Sequence, residues 1–246
     1  MRENWKTRKK ICSVCGNEYT QRYVPYINLW CGECDCVINQ RRADEQKWHE
    51  AQRQRKIERN IRNSNIPRLY DESTFETFEM RPELKRTIDI SKKYAELFPK
   101  LKENGKGILF IGNTGSGKTH LAIAIAHEVL KQGYTVKFAS LTNIIAQANC
   151  ADDYGKTEAE TIMSLSKCSL LILDDICVTN VSDRWKRVLF TIIDNRVNDV
   201  KPTIFTSNIS NAEEIKTLLN EQIYDRITGS CTTINVTAES YRRKKR

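Results

Sequence analysis

The 246-residue chain predicts an α/β fold, a five-stranded parallel sheet covered by helices, with a small cysteine-rich module ahead of it. Three observations carry that expectation. After Pro82, helix-like and strand-like apolar segments alternate, the pattern of a parallel sheet whose strands are joined by helices. One strand-like run, Ile108 to Ile111, leads into Gly112-Asn113-Thr114-Gly115-Ser116-Gly117-Lys118-Thr119, and a helical run from Leu121 to Val129 follows. Two Cys-x-x-Cys pairs stand near the start of the chain. With 39% hydrophobic residues there is enough apolar surface for one sizeable domain and a small module.

Residues 1–36 form the first expected unit. Cys12-x-x-Cys15 and Cys31-x-x-Cys34, separated by fifteen residues, match the spacing of a four-thiolate tetrahedral site. Each pair makes a tight knuckle, and Gly16 and Gly32 follow the second and third cysteines, where a reversal of the chain is easiest. Zn²⁺ is the expected ion, because a single-metal closed site in a small ribbon is usually zinc. With every position filled by protein, the metal would fold the module and not catalyse. Cys36 is a fifth thiol nearby, a bystander or a competitor of Cys34. Tyr19, Tyr23, Tyr26 and Trp30 can stack on bases, form a docking face for a protein, or pack around the metal. Cys150, Cys168, Cys177 and Cys231 are isolated and read as small hydrophobes.

Residues 37–66 are expected to be a basic helical linker. The stretch from Val37 to Asn63 has no Gly or Pro, and its apolar positions (Trp48, Ile57, Ile61) are too sparse for a buried stripe. Pro67 ends it. The net charge of +9 is concentrated at the ends. Residues 1–63 hold 14 basic and 8 acidic side chains, and the chain finishes Arg-Arg-Lys-Lys-Arg. Basic ends can meet nucleic-acid phosphates or an acidic protein surface, or remain solvated tails. No apolar stretch approaches the roughly 20 residues of a membrane span, and the basic start lacks a secretion segment. A cytoplasmic protein with no membrane partner is expected, and in that compartment the nine cysteines argue for metal or packing roles over disulfides.

In residues 67–246, strands are expected near 107–112, 135–140, 169–174, 202–207 and 231–236. The octapeptide fits G-x-x-x-x-G-K-[ST], so backbone N–H groups between Gly112 and Thr119 can converge on a phosphate at the positive end of a helix. Lys118 would hold the β- and γ-phosphates, and the Thr119 hydroxyl would be a ligand of Mg²⁺. The third strand ends in Asp174-Asp175. Asp174 would hold Mg²⁺ through water, while Asp175 would orient or polarise the attacking water, or only cap the next turn. An Asp here is shorter than the Glu of many ATPases, which predicts slow turnover. The fourth strand ends in Ser207-Asn208, whose amide can reach the γ-phosphate or its water from the far side of Asp175. No Asn-Lys-x-Asp sequence occurs, which favours ATP over GTP.

On these residues the chain resembles the AAA+ ATPases of the DnaC/DnaI type, loaders of the replicative helicase in bacteria and phages, and the related IstB transposition ATPases. The resemblance covers roughly residues 64–242. It rests on Ile66-Pro67-Arg68 with Phe75, the octapeptide, Leu171 to Asp175, Pro202 to Asn208, Tyr224-Asp225-Arg226-Ile227 and Ser240-Tyr241-Arg242. The resemblance implies a P-loop AAA+ core. It implies that Arg226 enters the neighbouring subunit's site as an arginine finger, hence self-association through the ATP site. It implies that Arg242 is a final sensor arginine, here with no room for the helical lid that usually carries one. DnaI-like loaders also have a metal-binding N-terminal region that docks on the helicase. The implied partners are therefore a DnaB-type replicative helicase and single-stranded DNA, and the implied activity is ATP-dependent loading of that helicase in replication initiation. Two other readings stay open: an ATPase regulating transposition on duplex DNA, and a zinc-stapled adaptor with a structural nucleotide.

Overall fold

The computed structural model describes residues 6–144, 158–177 and 182–240. The chain divides into two compact units, one up to Lys56 and one from Ile57 onward.

The first unit opens with three antiparallel strands, β1 (Thr7–Ile11), β2 (Glu18–Val24) and β3 (Leu29–Cys31), in the order β1-β2-β3. Arg8 stands opposite Gln21, Lys10 opposite Tyr19, and Tyr23 opposite Trp30. Because side chains alternate along a strand, those six residues share one face, and Lys9, Glu18 and Arg22 share the other. Asn28 closes the β2–β3 turn in the left-handed region at φ 53°, held by a hydrogen bond from the Tyr23 hydroxyl. Helix α1 (Asp35–Arg62) follows. It is polar around most of its surface, as its sparse apolar positions predict, and among its residues only Asn60 is buried.

In the second unit the five expected strands are present: β4 (Gly107–Ile111), β5 (Val136–Ser140), β6 (Leu170–Asp174), β7 (Thr203–Ser207) and β8 (Cys231–Asn235). Their order is β5-β6-β7-β4-β8, and every neighbouring pair is parallel. Such a sheet needs cover on both faces, which is why its strands read as continuous apolar runs. On one face, α2 (Lys85–Glu96), α3 (Phe98–Glu103) and α4 (Lys118–Lys131) bring Ile88, Phe98, Leu121 and Ile125 against Ile108, Phe110, Leu170, Ile172 and Ile204. On the other, α5 (Glu158–Lys167), α6 (Asp183–Asn198), α7 (Ala212–Leu219) and α8 (Glu221–Ser230) bring Leu165, Leu189, Ile192, Ile215 and Ile227 against Leu109, Leu171, Leu173 and Phe205.

Two polar devices tie this unit together. Asn60, in the last turn of α1, donates to the carbonyls of Gly133 and Tyr134 at 3.2 and 3.1 Å, and the Phe138 N–H of β5 donates to Ser64 at 2.7 Å. Arg196 of α6 is fully buried. Its guanidinium donates to the Leu165, Ser166, Cys168 and Pro202 carbonyls and to the Thr203 hydroxyl, at 2.6 to 3.1 Å. It thereby satisfies the carbonyls that end α5 and the carbonyl that enters β7. Among the described residues no helix is long and apolar enough to cross a membrane.

Candidate functional site

The parallel topology sends the carboxyl ends of β4, β6 and β7 to one edge of the sheet, the edge where open α/β sheets bind ligands. β4 runs straight into the Gly112–Gly117 loop, and α4 begins at Lys118. Gly117 precedes the helix at φ 102°, and a Cβ there would meet the Phe78 ring at 2.8 Å. Gly112, at φ 146°, lies so close to the Val236 carbonyl oxygen that a Cβ would collide with it. Both positions therefore require glycine for conformation and for space.

Lys118 is buried, and its Nζ donates to the Gly112 and Asn113 carbonyls at 2.8 Å each. Thr119 Oγ1 donates to Asp174 Oδ1 at 2.7 Å. The same carboxylate oxygen accepts from Thr206 Oγ1 at 2.7 Å, and Thr206 Oγ1 in turn accepts from the Asp175 N–H at 2.9 Å. A hydroxyl has one proton to give, so this single group fixes the first carboxylate and the backbone of the second. Asp175 takes a left-handed conformation at φ 51°, which turns its side chain to accept from Asn208 Nδ2 at 2.9 Å. Burial, and next the neighbouring Asp174 charge, raise the Asp175 carboxyl above its ordinary value, against the opposing pull of Lys118 and Asn208.

These groups line a cavity of about 370 Å³. The loop from Thr114 to Thr119, Asp174, Asp175, Thr206 and Asn208 form its polar part, and Tyr70, Phe78 and Leu84 contribute apolar wall. His120 places its edge on Phe78 with ring centres 5.0 Å apart, and its Nε2–H donates to the Thr74 carbonyl at 2.8 Å. Burial lowers the affinity of His120 for a second proton, so the ring is held as a neutral wedge behind the loop. The Ser116 hydroxyl is buried in the loop and has no hydrogen-bond partner among the described residues. An orphaned donor within a glycine cradle fits a phosphate, whose oxygens supply the missing acceptor. Thr119 and Asp174, already in contact, are the pair that would hold Mg²⁺.

Of the expected residues, Gly112 to Thr119, Asp174, Asp175 and Asn208 come together. Arg226 does not join them within one chain. It lies on α8, half-exposed, with Nη2 2.9 Å from Asp194 Oδ1 on α6. Arg242 lies outside the described residues. Sequence reasoning missed Thr206, Tyr70, Phe78 and Leu84 as parts of the site. Thr206 sits in a strand that reads as core, and its partners are 31 and 32 residues away.

The family description IstB-like ATP binding protein matches residues 42–246 of the chain. The chain belongs to that family. It is an ATP-binding protein and an ATPase, in agreement with the cavity. The replicative helicase loader DnaC of Escherichia coli (strain K12) is 30% identical to this chain over 190 residues, 76% of each chain. Solved folds agree. The crystal structure of the DnaC helicase loader aligns with a TM-score of 0.63 at 24% identity, covering 70% of this chain and 100% of that one. The crystal structure of DnaI aligns at 0.60 and 21% identity, covering 72% and 94%.

The IstB-like match begins at residue 42, beyond the N-terminal cysteine cluster. The Sγ atoms of Cys12, Cys15, Cys34 and Cys36 all lie within 4.8 Å of one another, with Cys12 to Cys36 at 3.4 Å and Cys15 to Cys34 at 3.5 Å. Tetrahedral Zn²⁺ with four bonds of about 2.3 Å sets sulfurs roughly 3.8 Å apart, so the donor set fits the ion. The four clustered thiols differ from the four expected ligands at one position. Cys31 is outside the cluster: it is still within β3, paired with Arg22 and exposed, so the strand fixes where it lies. Cys36 takes its place, because α1 starts at Asp35 and its first turn folds Cys36 back beside Cys34, whose carbonyl accepts from Val37 at 2.9 Å. The second knuckle is thus Cys-x-Cys at a helix start. Backbone N–H groups of Cys15 and then Val14 pull the Cys12 thiol down to about 6, favouring the thiolate that metals bind.

Proposed function

We propose that ATP-bound copies of this chain assemble side by side on single-stranded DNA and hold or open a ring-shaped replicative helicase of the DnaB type, loading it in replication initiation. Hydrolysis then releases the helicase. The observation that carries this reading is the 30% identity to DnaC, named a replicative helicase loader, over 190 residues, 76% of each chain.

Lys118, freed from the Gly112 and Asn113 carbonyls, turns to the β- and γ-phosphates, a short movement for a flexible ammonium. Thr119 and Asp174 would hold Mg²⁺, which would supply positive charge to the γ-phosphate. Asp175 orients the attacking water and Asn208 fixes Asp175, with Thr206 holding the Asp174 carboxylate and the Asp175 backbone in register. Tyr70, Phe78 and Leu84 offer the apolar wall for the base. Arg226 serves a neighbouring copy as the arginine finger and Arg242 as a sensor; both draw the copies together through the ATP site. Zn²⁺ on Cys12, Cys15, Cys34 and Cys36 staples the first unit, which makes the helicase contact.

The test is to mix the chain with its cognate helicase and ATP and follow complex formation by size-exclusion chromatography. A co-eluting complex that needs ATP is expected. Absence of any complex, with and without DNA, would remove the loader reading.

A further inference from the structure

On one face of the first unit's sheet the described strand residues combine rings and positive charge and include no acid. Arg8, Lys10, Tyr19, Gln21, Tyr23 and Trp30 lie on it, and the ladder extends to Lys6, whose carbonyl accepts from the Tyr23 N–H at 2.8 Å. The Arg8 guanidinium sits 4.4 Å from the centre of the Trp30 ring and donates to Gln21 Oε1 at 2.9 Å. Tyr23 and Trp30 are 5.4 Å apart, centre to centre, tilted by 56°. The one strand carboxylate, Glu18, is on the opposite face, paired with Lys9 at 2.5 Å. Tyr19, Tyr23 and Trp30 are half-buried, so each keeps part of its ring open to solvent.

We infer that this face binds single-stranded nucleic acid, at a site separate from the nucleotide cavity. A single strand offers a line of negative phosphates and bases whose flat faces are unstacked, and it is held by cations that track the backbone with rings on which bases stack. Residues two apart on a strand stand about 6.6 Å from each other, so Lys6, Arg8 and Lys10 form a row of charge parallel to the row of Tyr19, Gln21 and Tyr23, whose two ends are rings. A duplex hides its base faces and would use only the charge. An acidic protein would likewise leave the rings without a role.

The test uses the full chain with zinc bound and no nucleotide, so that assembly through the ATP site does not contribute. Fluorescence anisotropy of labelled oligothymidylate reports binding, and zinc content per chain reports folding. The parent should bind the single strand more tightly than a duplex of equal length. Arg8→Ala with Lys10→Ala should flatten the slope of log affinity against log salt by about 1.4, two lost phosphate contacts. Tyr19→Ala should weaken binding roughly fivefold or more, and Tyr19→Phe, which keeps the ring, should restore it. Should the double variant lose zinc, the comparison of Tyr19→Ala with Tyr19→Phe decides alone. Equal affinity across these variants overturns the inference, as does duplex binding as tight as the single strand. Variants that keep the oligonucleotide but lose the helicase complex would instead assign the face to a protein. A chain that forms no helicase complex yet behaves as expected with oligothymidylate loses the loader reading and keeps this one.

Discussion

At the residue scale, Thr206 ties the two aspartates together through one hydroxyl, donating to the Asp174 carboxylate and accepting from the Asp175 backbone N–H. Thr206→Val removes both bonds while keeping the shape. It should lower ATP turnover by about tenfold and raise the Mg²⁺ needed for half-maximal rate, with nucleotide binding retained; Thr206→Ser should recover most of the loss. Asp175 gives a prediction of opposite sign for activity and stability. Its carboxyl is raised by burial and by Asp174, so the folded chain favours the protonated form, and stability is lost as pH rises from the ordinary carboxylate value through the raised one. At neutral pH, Asp175→Asn removes that cost and suits φ 51°, because Asn tolerates the left-handed region. Its melting temperature should equal or exceed the parent's while turnover falls by about a hundredfold. In the parent, turnover should climb with pH through a titration above the usual carboxylate range. Asn208→Ala, which removes a hydrogen bond to the charged form, should move that titration higher.

At the scale of elements, two connections decide whether the pieces hold their places. Arg196 closes the end of α5 and the entry to β7 with a single buried guanidinium. Arg196→Met leaves those carbonyls buried without donors and should lower stability by about 3 kcal/mol or more, read by urea unfolding. In the first unit, the zinc knuckle depends on where β3 stops and α1 starts. Cys36→Ser should therefore reduce bound zinc well below one ion per chain, while Cys31→Ser should leave it unchanged, as measured by plasma mass spectrometry. Retention of zinc by the first variant and loss by the second would restore the two Cys-x-x-Cys pairs as the ligand set.

At the scale of the whole molecule, Arg226 is held by Asp194 within its own chain and takes no part in its own cavity, so its proposed role needs a second copy. Lys118→Ala and Arg226→Ala should each lose turnover. Mixed together they should regain part of it, because a Lys118→Ala copy can still offer Arg226 to an intact loop; no recovery on mixing would exclude the finger role. The sequence by itself determined the parallel sheet, the phosphate loop, Asp174, Asp175 and Asn208, because each is written in a short local pattern: an apolar run, glycines at fixed spacing, polar residues at a strand's end. Only the tertiary structure decided that Thr206 joins the Asp174 carboxylate to the Asp175 backbone, that Phe78 and Tyr70 wall the cavity, and that Cys36 stands in the thiol cluster where Cys31 was expected. Those choices rest on contacts between distant strands and on where one strand ends and a helix begins, which spacing along the chain does not encode.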